Sequence, residues 1–248
     1  MSTIVQRVGL AAIGAALALG LATDLATGTA QAAPAPAPQV RSEAIDPGHM
    51  YGDPAASAPF WQRQSLDDCA LMAAADVIGE LTGREPTERE IIAVAQRLPS
   101  RSHAGPIYTL PTDLNDPDHT GHGTNPADIP DLLAHYGITA VMTGAEDGDI
   151  TEATAMEELE RYLARGHKVI AGVNAELIWG EPVEVKDRDG TPLADHALVV
   201  TGVDTASGKV HLNDSGTEGG RDETVPIGLF VKAWAGGGNQ MIVTENAS

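Results

Sequence analysis

The chain has 248 residues, with 35 acidic side chains against 15 basic ones, a formal net charge of −20 and a single cysteine. So acidic a surface repels phosphate backbones and anionic membranes, which sets nucleic acid aside as a partner and favours a cationic peptide or a cationic wall component. One cysteine also excludes a disulfide framework within the chain.

Arg7 precedes an apolar run of about fifteen residues, and the small-residue triplet Ala30-Gln31-Ala32 follows. That layout predicts a secretory signal peptide over residues 1–32. Its removal would leave 14 basic and 34 acidic side chains, so the charge is unchanged. Residues 33–50, with their Ala/Pro alternation, predict an extended linker. Residues 51–248 then form one domain large enough for a core of its own. No later segment is apolar for long enough to span a bilayer, so the expected location is secreted and extracellular, with cell-wall association open, and no stable membrane insertion after cleavage.

Within the domain, the apolar positions Leu71, Met72, Ala75, Ile78 and Leu81 recur at helical spacing. They predict a helix from Cys69 to Leu81, with Asp68 as N-cap and Gly83 just past its end. The cysteine falls in the first turn. Thr87 and Glu90 have capping-box spacing, and Asn125, Pro126 and Gly137 bracket another helix. A fourth helix ends at Gly166 and leads into a buried strand around Val169, Ile170 and Val173. After Trp179 the pattern changes to short strands and turns through "VPIGLFVKAWAGGGNQMIVTEN". Helices first and strands later predict an α+β domain with an antiparallel sheet.

"HALVVTGVD" and "KVHLND", joined by "TASG", predict a hairpin that sets His196 about opposite Asp214. A bulge at Gly208 would shift the pair by one or two positions, and a diagonal pairing still leaves imidazole and carboxylate within reach. A nucleophile, a base and a group that orients the base make a triad. Cys69 supplies the nucleophile, because a helix N-terminus and a nearby imidazolium favour thiolate. Asp67 and Asp68 would oppose ionisation if they faced the sulfur, so both are expected to turn to caps or solvent. Gln64, on the loop entering the helix, can offer its side-chain amide beside the Cys69 N–H to a developing oxyanion. Asp195 should point to the other face of the strand.

"QSLDDCALMAAADVIGEL", "DHALVVTGVD", "KVHLND" and "FVKAWAGGGNQMIVTE" resemble the stand-alone secreted branch of the double-glycine leader peptidase family, the papain-like cysteine peptidases that process bacteriocin leaders. The resemblance spans roughly residues 51–245. It implies a papain-like fold, with a helical N-terminal half carrying the Cys helix and an antiparallel sheet in the C-terminal half carrying His and Asp. It also implies Cys69 as nucleophile, Gln64 as oxyanion glutamine, His196 as base and Asp214 as orienting acid. No cofactor is expected, and the expected partner is a peptide or protein substrate. Ala70 stands where the family commonly has Gly, and Ser215 where it commonly has Pro.

The expected function is an exported cysteine peptidase or amide hydrolase working through an acyl-enzyme. Two alternatives stay open: an acyl transferase on the same triad, and a papain-like module that binds a peptide or wall component without turnover. His119 and His122 with Asp116 and Asp118 have a spacing able to hold a metal, but Gly/Pro/Asp clusters are loops and no second ligand pair stands out, so no metal is assigned. "KDRDG" is read as a polar hairpin turn rather than a calcium loop. Trp61, Trp179 and Trp234 are assigned to core or cleft wall.

Overall fold

A computed structural model describes residues 48–114, 122–144 and 153–245. The expected signal peptide and most of the expected linker lie outside the described residues, as do Asp116, Asp118 and His119. Among the described residues, no helix is long and apolar enough to cross a membrane.

The chain enters through β1 (Met50–Gly52) and α1 (Pro54–Ser57), and an irregular loop then leads to α2 (Cys69–Thr82). Ten of the fourteen residues of α2 are buried and four of these are alanine, so neighbouring elements approach its axis closely. Gly83 ends it in the left-handed conformation. The helix α3 (Glu88–Ala95) starts with the expected capping box: Thr87 Oγ1 accepts from Glu90 N–H, and Glu90 Oε2 accepts from Thr87 N–H at 2.9 Å. Asn125 caps a short 3₁₀ turn that runs into α4 (Ile129–His135). Next come β2 (Ala140–Thr143), α5 (Ala155–Ala164), β3 (Val169–Val173) and α6 (Ala175–Trp179).

The C-terminal part holds β4 (His196–Asp204), β5 (Lys209–Asn213), β6 (Glu223–Pro226), α7 (Ile227–Ala235) and β7 (Met241–Thr244). The strands form one antiparallel sheet in the order β2-β7-β3-β4-β5-β6, with β1 paired to the end of β4. Two apolar layers cover it. Ala197, Val199, Ile170 and Ile242 pack with α2, α3 and α4, whereas Leu198, Val200, Ala171 and Val243 pack with α5 and α7. This alternation is the period-2 rule acting on strands buried on both faces.

The course of the strands and helices differs from the sequence reading in two places. Residues 227–235, taken with the strands and turns, form a helix whose Phe230, Ala233 and Trp234 recur at i, i+3 and i+4 and pack on the sheet. A short apolar run can satisfy either period, and here packing on the sheet decides. The β4–β5 bulge also sits at Thr201, between the Val200↔Leu212 and Gly202↔His211 pairs, rather than at Gly208. Val199 therefore lies opposite Asn213, and continuing that register places Asp214 diagonal to His196 on the same face.

Candidate active site

The site lies where the N-terminus of α2 meets the first residue of β4. His196 is 7% exposed, and Nε2 of its ring is 2.7 Å from Oδ1 of the fully buried Asp214. The Cys69 thiol lies near enough to the same imidazole to raise its pKa. With Nε2 engaged by the carboxylate, Nδ1 is the nitrogen left for sulfur. Burial pushes the His196 pKa down, but the hydrogen bonds to Asp214 and Cys69 and the charge of both outweigh it, raising the imidazole to about 10. Burial would raise Asp214, yet His196, the Trp179 indole N–H and the Gly216 N–H together hold its carboxyl below the usual carboxylate range.

Trp179 closes one side. Its Nε1–H donates to Asp214 Oδ2 at 2.9 Å, and its ring meets the imidazole edge-on, with centroids 5.3 Å apart. Two glycines let the Asp214 turn pack this tightly. A Cβ at Gly216 would come within 2.6 Å of the Trp179 ring and 3.0 Å of His196 Cε1. At Gly220 it would lie 1.8 Å from the Asp214 carbonyl oxygen, where only glycine fits.

Gln64 stands on the irregular loop before α2. Its Oε1 accepts from Ser215 Oγ at 2.7 Å, and its Nε2 donates to the Leu66 carbonyl at 2.9 Å. Asp195 turns away from His196, and its Oδ1 accepts from Ala175 N–H at the start of α6. All four residues singled out in the sequence thus have a described place: His196 is bonded to Asp214, Cys69 lies near enough to His196 to raise its pKa, and Gln64 is tied to the residue after Asp214.

Asp68 departs from expectation. It occupies the N-cap position, but its side chain makes no capping bond; it is 1% exposed, and both carboxylate oxygens lack a hydrogen-bond partner. Burial, then the Glu88 and Asp67 carboxylates, push its pKa to about 7. With its pKa near 7, Asp68 carries only part of a full negative charge beside the sulfur at neutral pH, whereas Asp67 is exposed to solvent. The "KDRDG" stretch is a tight turn in which Asp187 Oδ1 accepts from Asp189 N–H and Thr191 N–H.

Several contacts at the site had no counterpart in the sequence reading. Trp61 Nε1–H donates to the Asp214 carbonyl at 2.6 Å, with the Arg221 guanidinium over its ring. Glu88 accepts from the Gln64 loop, and Asn213, next to Asp214, donates to buried Asp76. Only an aromatic residue or an unpaired polar one at these positions could have hinted at them.

The Peptidase C39 like family model matches residues 61–242, which include every residue of this constellation. The chain belongs to that family. This membership supports a peptidase-like function. The C39-like chain is 59% identical over 198 residues to uncharacterized proteins of Mycobacterium tuberculosis and of Mycobacterium bovis, covering 79% of this chain and 85% of each relative. Its fold is similar to that of a Bacillus anthracis protein assigned as a C39-like peptidase, with a TM-score of 0.54 and 18% identity over 81% of this chain and 99% of that one. At that identity the likeness speaks to fold alone.

Proposed function

We propose that the protein is an exported cysteine peptidase or amide hydrolase acting on peptide or protein substrates. One observation carries the reading: a single imidazole, hydrogen-bonded to a buried carboxylate, has its pKa raised both by that carboxylate and by the thiol at a helix N-terminus. Cys69 Sγ attacks the substrate carbonyl carbon, and the C=O electron pair moves to oxygen. The Cys69 N–H, which has no intrahelical acceptor, and a Gln64 Nε2–H meet that oxyanion. Collapse breaks the C–N bond, and protonated His196 gives its proton to the leaving amine. Neutral His196 then takes a proton from water, whose oxygen displaces sulfur from the thioester. The products are a carboxylic acid, an amine and the restored thiol. Asp214 keeps the imidazole in place throughout and stabilises its charged form.

A cavity of about 530 Å³ beside Trp179 and Gly216, lined also by Ile178, Thr217, Glu181 and Glu223, adjoins the constellation. The two carboxyls Glu181 and Glu223 in that lining, together with the net charge of −20, favour a substrate that brings a basic side chain or free amine to that side. Export is supported by the apolar run after Arg7 and by Ala30-Gln31-Ala32.

The test is labelling of the chain with a thiol-reactive peptide electrophile, followed by peptide-library profiling, on wild type and Cys69→Ala. Wild type should label at Cys69 and cleave peptides, with a preference for basic residues. Cys69→Ala should do neither while melting at the same temperature, because few packing atoms are lost. Peptide binding without turnover by wild type would instead identify a binding module.

A further inference from the structure

The stretch Trp61–Leu66 has no helix or strand to hold it, yet it is fastened on two sides. On one, Trp61 Nε1–H donates to the Asp214 carbonyl, while Arg63 Nη1 and Gln64 N–H both donate to the Ser215 carbonyl, at 2.7 and 3.0 Å. The Ser215 hydroxyl, 6% exposed, adds its bond to Gln64 Oε1. On the other side, Glu88, the first residue of α3, accepts three bonds: Oε1 from Ser65 N–H at 2.6 Å and Leu66 N–H at 3.2 Å, and Oε2 from Ser65 Oγ at 2.6 Å.

These contacts settle which way the Gln64 carboxamide faces. The Leu66 carbonyl can only accept, so the end of the amide against it must be the NH₂ group. The opposite end then offers its oxygen to Ser215, whose hydroxyl donates. A flipped amide would set two carbonyl oxygens against each other at Leu66. One Nε2–H is used by Leu66, and the second remains for a substrate oxygen.

We propose that Ser215 and Glu88 are positioning residues that preset the Gln64 amide as an oxyanion donor, Ser215 by holding its oxygen and Glu88 by anchoring the two residues that follow it. The assignment rests on the proposed function, in which Gln64 meets the oxyanion. Neither residue touches the reacting atoms. Their effect is preorganisation: the donor already points where charge will develop, so no reorientation is needed during the reaction.

The test compares wild type, Ser215→Ala, Ser215→Thr, Glu88→Gln, Gln64→Ala and the Ser215→Ala/Gln64→Ala double variant in the full chain. Two rates are measured: peptide hydrolysis, and alkylation of Cys69 by iodoacetamide, which develops no oxyanion. Loss of an oxyanion donor should lower kcat about 100-fold in Gln64→Ala, and a mispositioned donor about tenfold in Ser215→Ala and Glu88→Gln, with KM held within about twofold. Ser215→Thr keeps the hydroxyl and should restore kcat. Ser215→Ala should cost nothing further once Gln64 is alanine, and alkylation should match wild type in the Ser215 and Gln64 variants.

Unchanged kcat in Ser215→Ala overturns the role. So does an equal further loss in the Gln64→Ala background, or a parallel fall in alkylation, which would mean general damage to the site. Should Glu88→Gln fail to fold, the alanine and threonine variants of Ser215 still decide the matter. Wild type that hydrolyses no peptide overturns the peptidase reading and this role with it, whereas active wild type beside equally active Ser215→Ala overturns this role alone.

Discussion

His196 has two carboxylates within a few residues of its strand end, and their surroundings separate their roles. Asp214 is fully buried, bonded to the imidazole, and satisfied on its remaining lone pairs by Trp179 and Gly216. Asp195 spends its bond on the first turn of α6. Replacing Asp214 with Asn removes the charge that favours imidazolium, so kcat should fall by about 10- to 100-fold. Asp195→Asn keeps an acceptor for the Ala175 N–H and should stay within about twofold, since no reacting group changes. Peptide hydrolysis at matched folded fraction distinguishes them; a larger loss in Asp195→Asn would move the orienting acid.

At the level of elements, the Asp214 turn is held by what leaves β5 and what returns to β6. Asn213 Nδ2 donates to Asp76 on α2 and to the Ser57 carbonyl, and its Oδ1 accepts from Asp222 N–H. The Asp214 N–H donates to the Gly220 carbonyl at 2.8 Å. The Cys helix and the Asp strand are thereby registered to each other through buried polar groups, which cost far more to leave unpaired than they gain when paired. Gly220→Ala would drive a methyl group into the Asp214 carbonyl and must open the turn. A stability loss of about 2–4 kcal/mol is expected, together with loss of hydrolysis. Gly219→Ala, whose Cβ meets nothing within 4 Å, should be close to neutral and serves as the control. Urea denaturation of the two variants tests the contrast; equal midpoints would show that the turn absorbs the methyl group.

The whole molecule combines a net charge of −20 with an unusual share of carboxyls held above their ordinary range. Burial raises Asp68 and Glu85 to about 7, and Asp76, beside Glu80, well above the usual value; Glu160, Asp195 and Glu223 shift the same way. A raised carboxyl binds more protons folded than unfolded, so its share of stability is present in acid and is lost as pH rises from about 4 towards its folded value. His196 acts in the same direction: its contribution is complete below 6.5 and disappears as pH rises towards about 10. Asp214, Glu90, Asp187 and Asp204 are lowered, and their contribution is lost only as pH falls below about 4. The melting temperature should therefore be highest in mild acid and fall steadily from pH 5 to 9. Asp68→Asn should flatten the part of that slope below pH 7. Added salt should raise the melting temperature most at the alkaline end, where self-repulsion is greatest. A maximum at pH 8 or above would contradict the assignment.

Local signals in the chain were enough to locate the Cys69 helix, the Thr87–Glu90 capping box, the Thr205–Gly208 hairpin connection and the α+β layout, because each depends on neighbours within about seven residues. The same signals brought His196 within reach of Asp214, since a hairpin turns a sequence count into a distance. Tertiary structure decided the rest. It moved the bulge to Thr201, made a helix of residues 227–235 and buried Asp68 unpaired beside Cys69. It also laid Trp61, Arg63 and Gln64 against a turn about 150 residues away, with separations of 153, 152 and 151. No periodicity or cap encodes such a pairing. It exists only once helices have packed on both faces of the sheet and set the start of α2 against the ends of β4 and β5.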